Sequence, residues 1–109
     1  MANTFKLKTK ANVGVTTVGI YTAPAATTTV VIGITLANTS GSGVNVGVGV
    51  TRAGTTEDVK LLKNAPIPSG SSLELIAGNK VVLEATDTVT VDSDTNNSVD
   101  AALTIMEIT

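Results

Sequence analysis

Three aspartates near the carboxyl end of the chain are the residues that could bind a metal ion. Asp92, Asp94 and Asp100 enclose two asparagines, and the segment begins with the D-x-D-x-N pattern of a calcium loop. The pattern then fails, because Asn97 stands where that loop needs glycine and Leu103 where it needs a bidentate glutamate. We therefore expect a solvated turn, with the three aspartates as weak candidates for a metal site.

A second acidic pair, Glu84 and Asp87, has the residue types of the two carboxylates of a glycosidase. The chain offers a sugar cleft only one tyrosine and one phenylalanine, so we expect Asp87 to bind backbone N–H groups at a turn instead. Histidine and cysteine are absent, which excludes disulfides, thiol nucleophiles and acid–base schemes built on imidazole. The sequence therefore predicts that the protein is not an enzyme and that it uses no cofactor.

The overall composition narrows the class of partner. A chain of 109 residues has the size of one domain, and its net charge of −2 comes without a basic block. Nothing in it therefore favours a nucleic-acid backbone. No stretch approaches the roughly 20 apolar residues that cross a bilayer, and no apolar segment of a signal peptide follows the first lysines. We expect synthesis in a cytoplasm, with neither nucleic acid nor a membrane as partner.

Hydrophobic residues alternate at every second position over most of the chain, which is the period of a β-strand. One strand is predicted with its even-numbered apolar residues, from Val30 to Leu36, facing the core. The next has one face made wholly of valine between Val44 and Val50, and the nearly bare opposite face suits a close neighbour. The turn-rich segment 38–43 between the two strands predicts a hairpin.

Seven or eight short strands separated by turn residues are predicted along the chain, including a turn over residues 77–80. Threonine and valine dominate them, and both favour pleated surfaces over helix. The fold class is therefore all-β, a single antiparallel β-sandwich or jelly-roll-like barrel. Its domain is expected to span residues 13–109, with residues 1–12 as an N-terminal arm or an edge strand.

Two interpretations of the amino-terminal segment stay open, since its lysines alternate with its apolar residues. As an arm, it would lay Phe5 and Leu7 onto a neighbouring subunit while Lys6 or Lys8 meets acidic side chains there. As an edge strand of its own domain, it would use the lysines to block unwanted pairing. The arm hypothesis predicts that deleting residues 1–9 leaves the melting temperature nearly unchanged.

Strand faces rich in small residues and poor in charge are weakly protected against pairing with other chains. Such surface suits a subunit that is always packed in an assembly, so we expect a homo-oligomer, with a trimer as one option. Besides the amino-terminal segment, the expected contacts are at a loop tip formed by Ser40, Gly41, Ser42 and Gly43.

A carbohydrate-binding module is an alternative from a different class, because sandwich folds also hold glycan sites. Besides Phe5, its stacking platform would be Tyr21, which stands beside a proline corner. Aromatic side chains dominate exposed recognition sites, so this alternative depends on these two rings.

Several segments resemble small virion proteins of tailed bacteriophages. Segment 20–38 carries a Tyr-Thr-x-Pro-Ala corner, a threonine run and a strand ending in Ala-Asn, and segments 62–73, 82–89 and 103–108 resemble the same group. The resemblance extends over nearly the whole chain and implies a structural β-sandwich of the virion, made in the host cytoplasm. It implies a head decoration (cement) protein that bridges major capsid protein subunits, or a tail, baseplate or fibre-attachment adaptor that binds tail proteins.

Overall fold

The computed structural model describes residues 3–54, 57–75 and 81–109, and these residues form nine β-strands and no helix. The all-β prediction is confirmed, whereas the turn predicted over residues 77–80 lies outside the described residues. The strands are β1 (Asn3–Val13), β2 (Val18–Thr22), β3 (Thr28–Asn38), β4 (Val44–Arg52), β5 (Glu57–Ile67), β6 (Ser72–Leu75), β7 (Val81–Leu83), β8 (Thr88–Ser93) and β9 (Val99–Ile108).

The strands form two antiparallel sheets that pack as a sandwich. A five-stranded sheet has the order β1-β9-β3-β6, with β7 also paired to β3, and a four-stranded sheet has the order β2-β8-β4-β5. β6 and β7 lie one after the other along the same side of β3, against residues 34–37 and 29–31. They therefore fill one strand position, so that each sheet has four positions. Apart from the β4–β5 and β6–β7 steps, consecutive strands lie in opposite sheets, as in a double-sheet jelly roll.

The core between the sheets is aliphatic, and its largest fully buried side chains include Leu36, Leu103 and Ile105. The valine face predicted for β4 is confirmed, since its four valines are at most 6% exposed. Neighbouring strands lie close to the opposite face of β4, where glycines leave little side chain. A Cβ added to Gly47 would lie 2.5 Å from Asp92 Oδ1, and one added to Gly49 would lie 2.9 Å from a β5 carbonyl oxygen.

The alternation predicted for β3 is wrong over its first half. Val31 and Ile34 are buried, whereas Val30 and Ile32 are only partly buried. A β-bulge opposite β9, between Val31 and Gly33, adds one residue and thereby exchanges the two faces of the strand. Even-numbered residues face the core only after this bulge.

The hairpin predicted between β3 and β4 is also wrong, because these strands lie in opposite sheets. The buried side chain of Asn38 holds the crossing segment. Its Nδ2 donates to the carbonyl oxygens of Ser42 and Ile67, both at 2.9 Å. Its Oδ1 accepts from the backbone N–H of Ser40 at 2.9 Å and from the Ser40 hydroxyl at 2.8 Å. One asparagine thus organises the arch that lets both strands face the same core.

Candidate functional site

The outer face of the five-stranded sheet carries four apolar side chains side by side, one from each strand position. Phe5 of β1 pairs with Met106 of β9. Met106 pairs in turn with Val30 of β3, and Val30 pairs with Val82 of β7. Phe5 is 69% exposed and Val82 is 58% exposed, while the two side chains between them are half-buried. We call these four residues the apolar row; Leu7 lies beside it at 64% exposure.

Smaller residues cover the other end of this face. Thr9, Ala102 and Thr35 lie in register next to one another and help to line a shallow depression of about 320 Å³. Of the described residues that pair across this face, Asp100 and Glu74 are charged, and they lie at this end, away from the apolar row. The sheet therefore presents an uncharged apolar ridge beside a depression of small side chains.

The outer face of the four-stranded sheet is polar by contrast. Thr51 Oγ1 donates to Asp58 Oδ1 at 3.0 Å, and Thr17 Oγ1 from the preceding loop donates to Asp92 Oδ2 at 3.1 Å. These side chains satisfy one another in solvent. Among the described strand residues, the large apolar side chains that are more than half exposed are Phe5, Leu7 and Val82, and all three belong to the five-stranded sheet.

The amino-terminal segment forms the edge of this sheet and is paired with β9 of its own chain from Asn3 to Val13. The three lysines of this segment alternate with its outward-facing residues. They pair with residues of β9 whose side chains face the core: Lys6 with Ile105, Lys8 with Leu103 and Lys10 with Ala101. Inward-turned charges of this kind protect a sheet edge against further pairing. Phe5 and Leu7 occupy the outer face, so the two sides of the segment have separate roles.

Lys6 takes part in a hydrogen-bonded cluster at this edge. Its Nζ lies 2.9 Å from Glu107 Oε1, and the hydroxyl of Tyr21 donates to Glu107 Oε2 at 2.6 Å. The Thr29 hydroxyl lies 2.8 Å from the Tyr21 hydroxyl. Lys6 is therefore occupied within its own chain, which leaves Lys8 of the two lysines that the arm hypothesis offered to a neighbour's carboxylate. We call Lys6, Tyr21, Thr29 and Glu107 the edge cluster.

The charges in the edge cluster follow from its burial and its hydrogen bonds. Burial, together with the bond to Glu107, raises the pKa of Tyr21 to about 12. The hydrogen bonds from Tyr21 and then Lys6 lower the pKa of Glu107. The carboxylate is thus ionised and the phenol neutral at neutral pH. Tyr21 is only 7% exposed, so it does not offer the sugar platform that the carbohydrate hypothesis assigned to it.

The loop tip of Ser40, Gly41, Ser42 and Gly43 lies at the far end of β3 from the apolar row. Ser40 is held by Asn38 and by the hydroxyl of Ser69, which donates to its carbonyl oxygen at 2.8 Å. A side chain at Gly41 would meet nothing within 4 Å, so the tip projects into open space. Eight residues of extended strand separate Asn38 from Val30, a span of about 25 Å. The structure therefore does not bring the two predicted contact regions together.

The three aspartates proposed as weak metal candidates do not converge. Asp92 is bound to Thr17, Asp94 Oδ1 accepts from the backbone N–H of Asn45 at 3.1 Å, and Asp100 Oδ1 accepts from that of Asn12 at 3.0 Å. Within residues 3–54, 57–75 and 81–109, no three acidic, histidine or cysteine side chains could together hold a metal ion. Asp94 and Asp100 instead each bind a backbone N–H group, and Asp92 binds a threonine hydroxyl.

The predicted turn role of Asp87 is confirmed, since its Oδ2 accepts from the backbone N–H of Glu84 at 3.0 Å. Arg52, at the end of β4, lies against both acids: its Nη2 is 2.8 Å from Glu84 Oε1 and its Nε is 2.9 Å from Asp87 Oδ2. This arginine neutralises the pair that resembled a glycosidase site. No local sequence signal indicates these ion pairs, because Arg52 lies in a strand that is distant along the chain from the two acids.

No family model matches this chain, and no curated protein matches it. Among the described residues there is no helix long and apolar enough to cross a membrane. Solved structures do show the same fold. A chain of the disulfide-linked pili formed by Bacillus endospore appendages matches with a TM-score of 0.57 and 16% identity, covering 99% of this chain and 87% of that chain.

Two viral chains match in the same way. A chain of the T13 IBDV viral particle has a TM-score of 0.58 at 12% identity, covering 96% of this chain and 30% of that one. A chain of the infectious bursal disease virus Gx strain has a TM-score of 0.55 at 12% identity, over 97% of this chain and 29% of that one. This chain thus spans less than a third of either viral chain. At such identities the likeness shows a shared two-sheet β-sandwich fold.

Proposed function

We propose that this chain is a structural subunit of a virion, a decoration or cement protein that bridges major capsid protein subunits of a bacteriophage head. The observation that carries the proposal is the apolar row, which stays uncovered although the core of the sandwich is closed. Exposed apolar patches of this kind mark protein–protein contact sites. Burying the Phe5 side chain alone contributes about 1.5–3 kcal/mol per copy.

The arrangement of the two contact regions supports a bridging role. The apolar row and the loop tip at residues 40–43 lie near opposite ends of β3, so one copy can contact two different neighbours. Each contact is small, but many copies on one shell add their contacts together by multivalency. The mechanism is passive, since it needs only buried surface and no chemical step.

Two further observations favour a structural role over catalysis. The acidic residues that sequence patterns singled out each bind a backbone N–H group, a threonine hydroxyl or Arg52. The folds that match belong to chains of a viral particle and of a pilus, both of which are protein assemblies. These observations, together with the resemblance of several segments to phage virion proteins, support the proposal.

The copy number in purified particles tests it. A decoration protein should be present in on the order of hundreds of copies and lie on the shell in a virion reconstruction, since closed shells repeat each position by symmetry. A few to a few tens of copies at the tail would instead identify a tail, baseplate or fibre-attachment adaptor. Absence from purified particles, measured by quantitative mass spectrometry, would contradict both roles.

A further inference from the structure

We propose that the apolar row is the interface between two copies of this chain, which pack face to face through their five-stranded sheets. The inference rests on the proposed function only in taking this face to be buried in an assembly. It adds the identity of the partner on this face, a second copy, and the orientation in which that copy binds, while the loop tip at residues 40–43 of each copy stays available for a capsid subunit.

The size of the face fits a stable dimer. β9 contributes ten residues, and four strand positions about 4.8 Å apart give a footprint of about 30 Å by 20 Å. The side chains that stand on this footprint expose more area than its flat projection of about 600 Å². A standard interface covers about 800 Å² of accessible surface on each partner. A face of this size can therefore hold two copies together by itself.

Charge favours pairing of faces over pairing of edges. The apolar row is uncharged, so two copies of the row meet without repulsion, and the acids of this face, Asp100 and Glu74, lie at its other end. The alternative, joining two β1 edges antiparallel, would place Lys6, Lys8 and Lys10 against the same lysines of a second copy. Like charges opposite one another destabilise a sheet, and inward-turned lysines are a device against such pairing. The edge is thus protected while the face is not.

The register of the row makes the face complementary to itself. Consider a two-fold axis that lies between the facing five-stranded sheets of the two copies and runs parallel to their strands. This axis places the first strand position of one copy over the last strand position of the other. It places Phe5 of one copy over Val82 of the second, and Met106 over Val30. The largest side chain therefore meets a smaller one at each end, as an isologous contact requires. Sheets packed in this way lie about 10 Å apart.

Sedimentation equilibrium of the full chain tests the partner. We expect a concentration-dependent dimer whose dissociation constant rises about tenfold or more in Val82→Lys, because an unpaired charge is buried. Val15→Lys is the matched control, since Val15 is 56% exposed against 58% for Val82 but lies in the loop after β1. Circular dichroism checks that both variants fold. A monomer at all concentrations, or a dimer that Val82→Lys leaves unchanged, would overturn the inference.

Thiol crosslinking tests the orientation, because the chain has no cysteine of its own. Facing sheets lie about 10 Å apart, which is too far for a disulfide but within reach of a short bismaleimide, whereas positions 5 and 82 of one chain lie three strand spacings apart, about 14 Å, beyond its reach. A short bismaleimide should therefore crosslink the variant Phe5→Cys/Val82→Cys to a covalent dimer at concentrations where the unmodified chain is dimeric. Phe5→Cys alone should remain uncrosslinked, since the two copies of position 5 lie at opposite ends of the interface.

Crosslinking of Phe5→Cys alone, or none in the double variant, would contradict the proposed axis. Failure here is distinct from failure of the proposed function. If the protein is monomeric in solution yet abundant on the shell, only the proposed self-pairing is wrong. If it is a dimer that is absent from particles, only the proposed virion role is wrong.

Discussion

Replacing Tyr21 by phenylalanine should show how strongly the edge cluster stabilises the sandwich. The substitution removes one hydroxyl and keeps the ring that packs in the core. Glu107, whose side chain is 8% exposed, then loses the donor at 2.6 Å and keeps only Lys6. Thr29 loses its hydroxyl partner as well.

The expected loss follows from the kind of hydrogen bond removed. A hydrogen bond to a charged group contributes about 1.5–3 kcal/mol, and a buried group left without a partner costs a similar amount. We therefore expect Tyr21→Phe to lower the free energy of unfolding by about 2 kcal/mol. For a domain of this size the melting temperature should fall by about 8–16 °C.

Urea unfolding at pH 7, followed by circular dichroism, measures the effect. Thr22→Val is the control, because it removes the exposed hydroxyl contact with Thr88 and should change stability by less than about 0.5 kcal/mol. A double-mutant cycle of Tyr21→Phe with Glu107→Gln should give a coupling energy above about 0.5 kcal/mol. If the two changes add without coupling, or if Tyr21→Phe behaves like the control, the reasoning is refuted.

The same cluster predicts how stability depends on pH. The pKa of Glu107 is lowered from its ordinary 4.5, so its contribution is present above pH 4.5 and is lost as pH falls through the lower folded pKa. The pKa of Tyr21 is raised from 10.0 to about 12, so its contribution is present below pH 10.0 and is lost as pH rises toward 12. The stability difference between the unmodified chain and Glu107→Gln should therefore shrink in acid, and the difference from Tyr21→Phe should shrink in strong base. Differences that stay constant across both ranges would contradict the assigned ionisation.

Two further predictions concern the edge strand and the β4 glycines. Deleting residues 1–9 removes most of the pairing with β9 and the Lys6 ion pair, so the melting temperature should fall clearly, whereas an unchanged thermal melt would favour the arm hypothesis. Gly49→Ala should cost about 1–3 kcal/mol in urea unfolding, because its Cβ would lie 2.9 Å from the Val59 carbonyl oxygen. Gly41→Ala, where the Cβ meets nothing within 4 Å, is its control and should be nearly neutral.

Several features of this protein follow from its sequence because their causes are local. The period of two in β4 places Val44 to Val50 on one face wherever that strand lies, and this valine face is buried as predicted. Turn chemistry is local too, so Asp87 could be assigned to its corner from neighbouring residues alone. The abundance of β-branched residues, with turn residues between the predicted strands, was enough to predict an all-β sandwich or jelly-roll-like barrel.

Only the tertiary structure decided which strands meet and which face each residue takes. The bulge after Val31 reverses the alternation of β3, and the hydrogen bonds of Asn38 turn a predicted hairpin into a crossing between sheets. The apolar row exists because Phe5 and Val82, far apart along the chain, reach the same register through β9 and β3. Period-two alternation states which residues share a face of one strand. It contains no information about the neighbour of that strand, because pairing depends on contacts between residues distant in sequence.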